Sequence, residues 1–267
     1  MTDYQIAIPS YRRPMRLATE TLSTLKRFGV DLGRVTIFVA NKEEKFKYEL
    51  VLQQAKFEIP VVVSCPSLIH SRIWYNKYYE KGSPILNLDD DIHDLYVKDG
   101  NGLKTLEKEK GSFDRLVQKG FSVCEKTNAR LWGINAVANG MFMKASITVG
   151  LRYICGIFHG SFAGDPVLCS PDRVKVSSGE DFETTLKSFG MYKGVVRIDG
   201  YSPKTKYFAE GGIQAELGGK SERDADHLKQ LKAIVSRYPA YSRLYFKKDS
   251  VPNIRLKTIT HGKIKWI

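Results

Sequence analysis

The sequence predicts an α/β protein: a single Rossmann-like domain on a mostly parallel sheet, extended at its C-terminus by a basic helical segment. Three observations predict it. Continuous apolar, β-branched runs alternate with helix-period segments between Tyr4 and Leu88, the pattern of a parallel sheet covered on both faces. The chain has 267 residues, 42% of them hydrophobic and 11% aromatic, enough to bury a substantial core. Its last part, from Glu222 to Phe246, combines helical spacing with a high density of Lys and Arg.

The elements follow in order. Tyr4–Ile8 is a short strand ended by Pro9-Ser10. Arg13–Phe28 is a helix, with Leu17, Thr21, Leu22 and Leu25 at helical spacing and Gly29 as its stop. Val35–Ala40, Val61–Cys65 and Pro84–Leu88 are strands, separated by helices over Glu43–Ala55 and Leu68–Tyr79. The charged, Gly-containing stretch Val97–Gly111 predicts a mobile loop, and Ser112–Thr127 a helix. Strands are expected over Leu131–Ala138, Ser146–Phe158, Val195–Ile198 and Thr205–Phe208, with a helix entered from Ser178 and running to Phe189. Glu222–Phe246 predicts one long helix. The expected organisation is a domain over residues 1–221, divided into two halves, 1–96 and 97–221. The basic extension, 222–267, packs onto it.

No apolar run reaches the roughly 18 residues of a membrane span. The N-terminus enters a strand almost at once, without a signal-peptide pattern. The expectation is a monomeric, cytoplasmic protein without a membrane partner. Cys65, Cys124, Cys155 and Cys169 form no Cys-x-x-Cys pair, which suits free thiols in a reducing compartment. A net charge of +13 points to an anionic partner: nucleic acid, an anionic surface or a phosphorylated ligand.

Two acidic motifs carry the chemistry. Asp89-Asp90-Asp91 ends the strand Pro84–Leu88, and ligands of open α/β sheets bind outside the carboxyl ends of the strands. Adjacent carboxylates repel one another, and a hard divalent cation, Mn²⁺ or Mg²⁺, relieves that cost with oxygen ligands and nucleotide phosphates. Alternation along a strand places Asp89 and Asp91 on one side and Asp90 on the other. An acidic turn capping the next helix is the other reading of the same residues. Glu180-Asp181 opens the helix that follows Ser177-Ser178-Gly179. A carboxylate there either caps the helix or serves as a general base.

Strand one running into Pro9-Ser10-Tyr11-Arg12-Arg13-Pro14, with strand four running into an Asp-x-Asp cluster, resembles the GT-A nucleotide-sugar transferases. The resemblance implies that Pro9, Ser10, Tyr11 and Arg12 meet the nucleotide and that Asn41 faces the base or ribose. It places Arg72, within His70-Ser71-Arg72, at the sugar or diphosphate. It gives Asp89, Asp90 and Asp91 to a metal-bridged UDP-sugar, with Asp89 and Asp91 as metal ligands. The Glu180-Asp181 pair resembles the base motif of inverting members, implying Asp181 as base with Glu180 second. Thr260-His261-Gly262-Lys263-Ile264-Lys265-Trp266 is similar to the ending of glycogenin-like retaining members but lacks the proline. By that likeness His261 is a third metal ligand and Lys265 neutralises the diphosphate. The two motifs imply opposite stereochemistry, and inversion is the expectation.

The compact length, the triple aspartate and the basic last third resemble the base-J-type and tailed-phage DNA glycosyltransferases. The implied acceptor is 5-hydroxymethylcytosine or a related base in double-stranded DNA, flipped out of the duplex, in a host cytoplasm if phage-encoded. Lys229, Lys232, Arg237, Arg243, Lys247 and Lys248 are the expected phosphate track, with Arg255, Lys257 and Lys263 as further contributors. Tyr238, Tyr241, Tyr245 and Phe246 either stack on bases or pack the helix down. The alternatives are a protein or polysaccharide acceptor, or a non-catalytic nucleic-acid-binding protein.

Overall fold

The computed structural model describes residues 3–106, 111–170, 178–205, 220–247 and 251–265, with the side chains of 220–223 and 264–265 excepted. Within the described residues the chain builds a nine-stranded sheet whose strands lie in the order β14 (Ile259–Lys265), β8 (Ser146–Leu151), β10 (Val195–Ile198), β7 (Leu131–Ile134), β9 (Phe158–Phe162), β4 (Pro84–Leu88), β1 (Gln5–Pro9), β2 (Val35–Val39) and β3 (Val61–Val63). The half β3-β2-β1-β4 is wholly parallel. It is made by β1 (Gln5–Pro9), β2 (Val35–Val39), β3 (Val61–Val63) and β4 (Pro84–Leu88), and every residue of β2 is buried. Helix α3 (Lys42–Gln54) is capped by Asn41, whose side chain accepts from the Glu44 N–H at 2.9 Å, and α4 (Leu68–Tyr78) by Ser67.

The predicted helix after β1 is interrupted. It runs as α1 (Pro14–Leu17), a π turn over Ala18–Leu22 and α2 (Ser23–Arg27). The π turn swings Thr21 under the aspartate loop, where its Oγ1 donates to Asp89 O and accepts from Ile92 N–H, both at 2.9 Å. One hydroxyl therefore fastens both ends of Asp89–Asp91, in keeping with the frequent placement of π turns at functional sites.

Beyond β4 the chain differs more from the sequence pattern. The expected loop over 97–111 is largely a hairpin, β5 (Ile92–Asp99) and β6 (Gly102–Thr105), joined by β11 (Tyr201–Thr205) in a three-stranded sheet. Asp99-Gly100-Asn101-Gly102 supplies the turn chemistry. Helix α5 (Ser112–Thr127) covers one face of β7 (Leu131–Ile134), β9 (Phe158–Phe162) and β10 (Val195–Ile198). Trp132 is fully buried beneath it, in space left by Gly160, where a Cβ would stand 1.8 Å from the indole nitrogen. The strand expected over Ser146–Phe158 is two elements, β8 (Ser146–Leu151) and the start of β9. Residues 152–157 cross between them beneath α6 (Glu180–Tyr192).

The C-terminal segment is not one helix. Helix α7 (Lys220–Arg237) stops just before Pro239, since a proline disfavours helical geometry in the residue before it. Residues 242–246 instead form β12 (Ser242–Phe246), paired with β13 (Pro252–Leu256). β14 (Ile259–Lys265) then joins the edge of the main sheet against β8. Gly150, at φ +146°, permits this approach, because a Cβ there would meet Ile259 O at 2.1 Å. A second core of Leu151, Leu186, Phe189, Leu231, Ile234 and Ile254 ties α6, α7 and β13 together. The Gly-rich stretch 211–219 and residues 206–208 of the expected Thr205–Phe208 strand lie outside the described residues.

Candidate active site at the carboxyl edge of the parallel strands

The loops after β1 and β4 and the start of α6 meet at the carboxyl edge of β1 and β4. Arg72 joins them. It is 4% exposed and emerges from α4. Its Nη2 donates to Asp89 Oδ1 at 3.1 Å and to Gly156 O at 3.0 Å, and its Nη1 donates to Glu180 Oε1. Burial works against its charge, but Glu180 and Asp89 more than restore it, so its pKa lies above the ordinary arginine value. The sequence resemblance placed Arg72 on a sugar or diphosphate, whereas the structure gives its guanidinium to two carboxylates and a carbonyl.

The three aspartates diverge. Asp89 turns to Arg72, while Asp90 and Asp91 share Arg13, at 3.4 and 3.7 Å, and Arg16 stands 3.9 Å from Asp91. The alternation expected for Asp89 and Asp91 does not carry past Leu88, because the strand ends there. Asp90 is 6% exposed and accepts from Ser10 Oγ at 2.5 Å, and Ser10 Oγ also bonds Tyr48 OH at 2.6 Å. Ser10 and Asp90, both expected at the nucleotide, are thus buried in a brace between the two loops. Burial pushes Asp89 up to about 7, with Arg72 pulling against it and Asp91 and Asp90 adding to it. Burial raises Asp91 as well, against Arg16 and Arg13.

The other residues expected at the nucleotide are distributed around this brace. Pro9 ends β1 and is buried. Tyr11 is half-buried under the Arg12 guanidinium, 4.8 Å from its ring centroid. Arg12 is exposed at φ 56°, its N–H donating to Glu44 at 2.8 Å. A non-glycine residue in that region costs about 1–2 kcal/mol and turns the guanidinium outward beside Tyr11. Asn41 is exposed, but its side chain caps α3.

The candidate base is built differently from its neighbour. Glu180 is committed to Arg72. Asp181 accepts from Tyr153 OH through Oδ2 and from Phe182 N–H at 2.9 Å through Oδ1. Each oxygen keeps a second lone pair for an acceptor hydroxyl. Burial and then Glu180 push Asp181 up to about 6. Tyr153 stacks on Phe182 at 4.3 Å, which fixes the phenol. Tyr153 and Arg16 escaped the sequence reading, and no local signal marks either.

His261 is not at this site. It lies in the bulge between Thr260, opposite Gly150, and Gly262, opposite Val149, and stacks on Phe189 at 6.1 Å. That is the amino end of the parallel strands, and β14 stands five strands from β4, roughly 24 Å at the usual strand spacing. His261 therefore cannot ligate a cation on Asp89. Lys265 pairs through its backbone with Ser146 at the carboxyl edge, and its side chain lies outside the described residues. No group of three or more His, Cys, Asp or Glu able to hold a metal occurs among the described residues. A cation here would draw on Asp89 and Asp91, each of which also faces an arginine, with phosphates and water completing the shell of Mn²⁺ or Mg²⁺.

The predicted phosphate track is dispersed. Lys229 and Lys232 are exposed on α7, Arg237 is bonded to Glu183 at 2.7 Å and Arg243 is exposed on β12. Lys247 lines a cleft beside the β12–β13 hairpin, and Lys248 lies outside the described residues. Of the aromatics, Tyr238 packs on the second core, Tyr241 stands edge-on to Phe189, Tyr245 lies under Arg255 and Phe246 is exposed.

No protein-family model matches the sequence, and no curated protein matches it. Solved structures do. Residues 1–349 of TarS from S. aureus match with a TM-score of 0.52 at 14% identity, over 88% of this chain and 65% of that one. The same protein in complex with UDP-GlcNAc also gives 0.52, covering 66% of that chain. Glucosyl-3-phosphoglycerate synthase from Mycobacterium tuberculosis, solved with Mn²⁺ and UDP-glucose, matches at 0.51 with 8% identity, over 98% of this chain and 89% of that one. The chain spans just under two thirds of the TarS fragment. At these identities the likeness establishes the fold, which is of the GT-A type the sequence predicts. No helix among the described residues is long and apolar enough to cross a membrane.

Proposed function

We propose that the protein is a metal-dependent glycosyltransferase that moves a sugar from a UDP-sugar to a hydroxyl on DNA, that of 5-hydroxymethylcytosine or a related base. The observation that carries the transferase reading is the Arg72 bridge. It brings Asp89, at the end of β4, and Glu180-Asp181, at the start of α6, to one edge of a GT-A fold. Solved structures of this fold hold UDP-GlcNAc in one case and Mn²⁺ with UDP-glucose in another. The DNA acceptor rests on the net charge of +13 and on the resemblance of the sequence.

Asp89 and Asp91 would hold Mn²⁺ or Mg²⁺, which when bound supplies Lewis-acid stabilisation of the leaving diphosphate. Tyr11 and Arg12 are free to flank the nucleotide. Arg72 holds Asp89 and Glu180 and so sets the spacing between the donor and acceptor sides. Asp181, ionised above about pH 6, takes the proton from the acceptor hydroxyl as its oxygen bonds the anomeric carbon. The bond to the diphosphate breaks and UDP leaves with the electron pair. A base on the face opposite the leaving group gives inversion.

The test is to incubate the protein with Mn²⁺, a panel of UDP-sugars and DNA carrying 5-hydroxymethylcytosine, then weigh the digested nucleosides. Gain of one sugar mass on the modified base is expected. UDP release without any gain on DNA, together with labelling of a glycan or protein, would overturn the DNA acceptor and keep the transferase.

A further inference from the structure

Alternation along β8 turns Ile147 and Val149 into the main core and Ser146 and Thr148 to the opposite face. Thr148 pairs with Arg197 of β10 on one side and Lys263 of β14 on the other. This face of the sheet edge is polar, and it floors a cleft of about 760 Å³ walled by the β12–β13 hairpin. One acid described in the cleft, Asp199, is already satisfied by Arg197 Nε at 2.7 Å, Ser146 Oγ at 3.3 Å and Thr148 Oγ1.

Around it stand Lys144, Arg152, Lys247, Arg255, Lys257 and Lys263. None of the six is ion-paired with a carboxylate among the described residues. Burial and the like charge of Arg197 depress the Arg152 pKa, with Asp199 only partly opposing them. A positive field without a counter-anion is the mark of an anion-binding groove. Its rim is apolar: Met141 is 85% and Phe142 76% exposed, and Arg255 lies 4.8 Å over the Tyr245 ring. Cations beside the exposed Phe142 ring suit a nucleic acid, whose bases stack, better than a phosphate polymer without rings. The inner wall includes Tyr153 and Phe182, and the Tyr153 hydroxyl is bonded to Asp181. The cleft therefore reaches the tyrosine that holds the candidate base, while Asp181 itself lines a separate, smaller pocket with Arg72 and Glu180.

We propose that this cleft, and not the α7 surface, is the DNA-binding site, holding the phosphates that flank a flipped nucleotide and delivering its hydroxymethyl group past Tyr153 to Asp181. The chemistry of that delivery rests on the glycosyltransferase reading above; the binding does not.

The test is fluorescence anisotropy of a short labelled duplex carrying one 5-hydroxymethylcytosine, across a salt series, with the full chain. The triple variant Lys247→Glu/Arg255→Glu/Lys257→Glu is expected to weaken binding more than about tenfold and to lower the salt slope by about 3, near 1 per phosphate contact. Arg255→Gln alone, too mild to disturb the hairpin, is expected to lower the slope by about 1. Lys229→Glu/Lys232→Glu on α7 is expected to leave binding within about threefold of wild type. UDP-sugar affinity by calorimetry is read alongside. Loss of duplex binding in the α7 variant but not in the cleft variants would overturn the proposal while sugar transfer to DNA stood. Cleft-dependent binding without any transfer would uphold the site and sink the transferase reading. Transfer to a glycerol-phosphate polymer, with no duplex binding, would overturn DNA as the occupant.

Discussion

Tyr153→Phe isolates the hydrogen bond that tunes the candidate base. The substitution removes one hydroxyl and keeps the ring that stacks on Phe182 at 4.3 Å, so the packing around Asp181 is retained. That hydroxyl donates to Asp181 Oδ2 and favours the ionised carboxylate, against burial and Glu180, which push Asp181 up to about 6. A hydrogen bond to a charged group contributes about 1.5–3 kcal/mol, and one pKa unit is about 1.4 kcal/mol. Its loss therefore raises the Asp181 pKa by about 1–2 units. The acid limb of kcat/KM moves from near pH 6 to about pH 7–8. The loss of rate is about tenfold or more below the new limb and small in alkaline buffer. The assay is UDP release against pH, run with saturating donor and limiting acceptor. An unmoved acid limb with a uniform loss of rate would refute the assignment of Tyr153 as a positioning residue for Asp181.

Two further outcomes follow from the same geometry. Asp89 lies at about 7 in the folded chain, above the roughly 3.9 of an unfolded aspartate. Protonation of Asp89 thus stabilises the metal-free fold at low pH, and that contribution is lost as pH rises through about 7. A cation needs the ionised form, so Mn²⁺ affinity measured calorimetrically should rise about tenfold per pH unit up to about 7 and then level off; a flat profile would remove Asp89 from the metal site. Thr21→Val keeps the side-chain shape but orphans the buried Ile92 N–H and frees both ends of the aspartate loop. It should cost about 2 kcal/mol, a fall in Tm of about 4–8 °C, and raise KM for the donor. An unchanged melting curve would show that the hydroxyl does not fasten the loop.

The parallel half of the fold was legible because its strands are buried on both faces and so are written as unbroken apolar runs. Val35–Val39 is the clearest, with all five residues buried. Asp89 and Asp181 were legible for a related reason. Each follows a strand end or opens a helix, and those positions are marked locally. What escaped depends on partners distant in sequence. β14 reads as a tail until β8 is known to offer it an edge at Gly150. Ser242–Phe246 fits a helical pattern until Pro239 and the pairing with Pro252–Leu256 are weighed together. The His261 motif matched a known ending in letters only; in space it lies at the opposite end of the sheet. Four of the cleft's cations, Lys247, Arg255, Lys257 and Lys263, were already legible as candidate phosphate contacts, but Lys144 and Arg152 were not, and the gathering of all six into one cleft escaped because they come from widely separated segments.

Asp181→Asn gives the most direct test of the account. The substitution keeps the volume and the Phe182 N–H bond but cannot accept the acceptor's proton. UDP release from the productive UDP-sugar with Mn²⁺ and hydroxymethylated DNA is measured for wild type and variant, with donor affinity read in parallel. The account predicts chelator-sensitive release by wild type, a fall in kcat of about 10²–10⁴ in the variant and an unchanged donor affinity. Release at the wild-type rate by Asp181→Asn would contradict it.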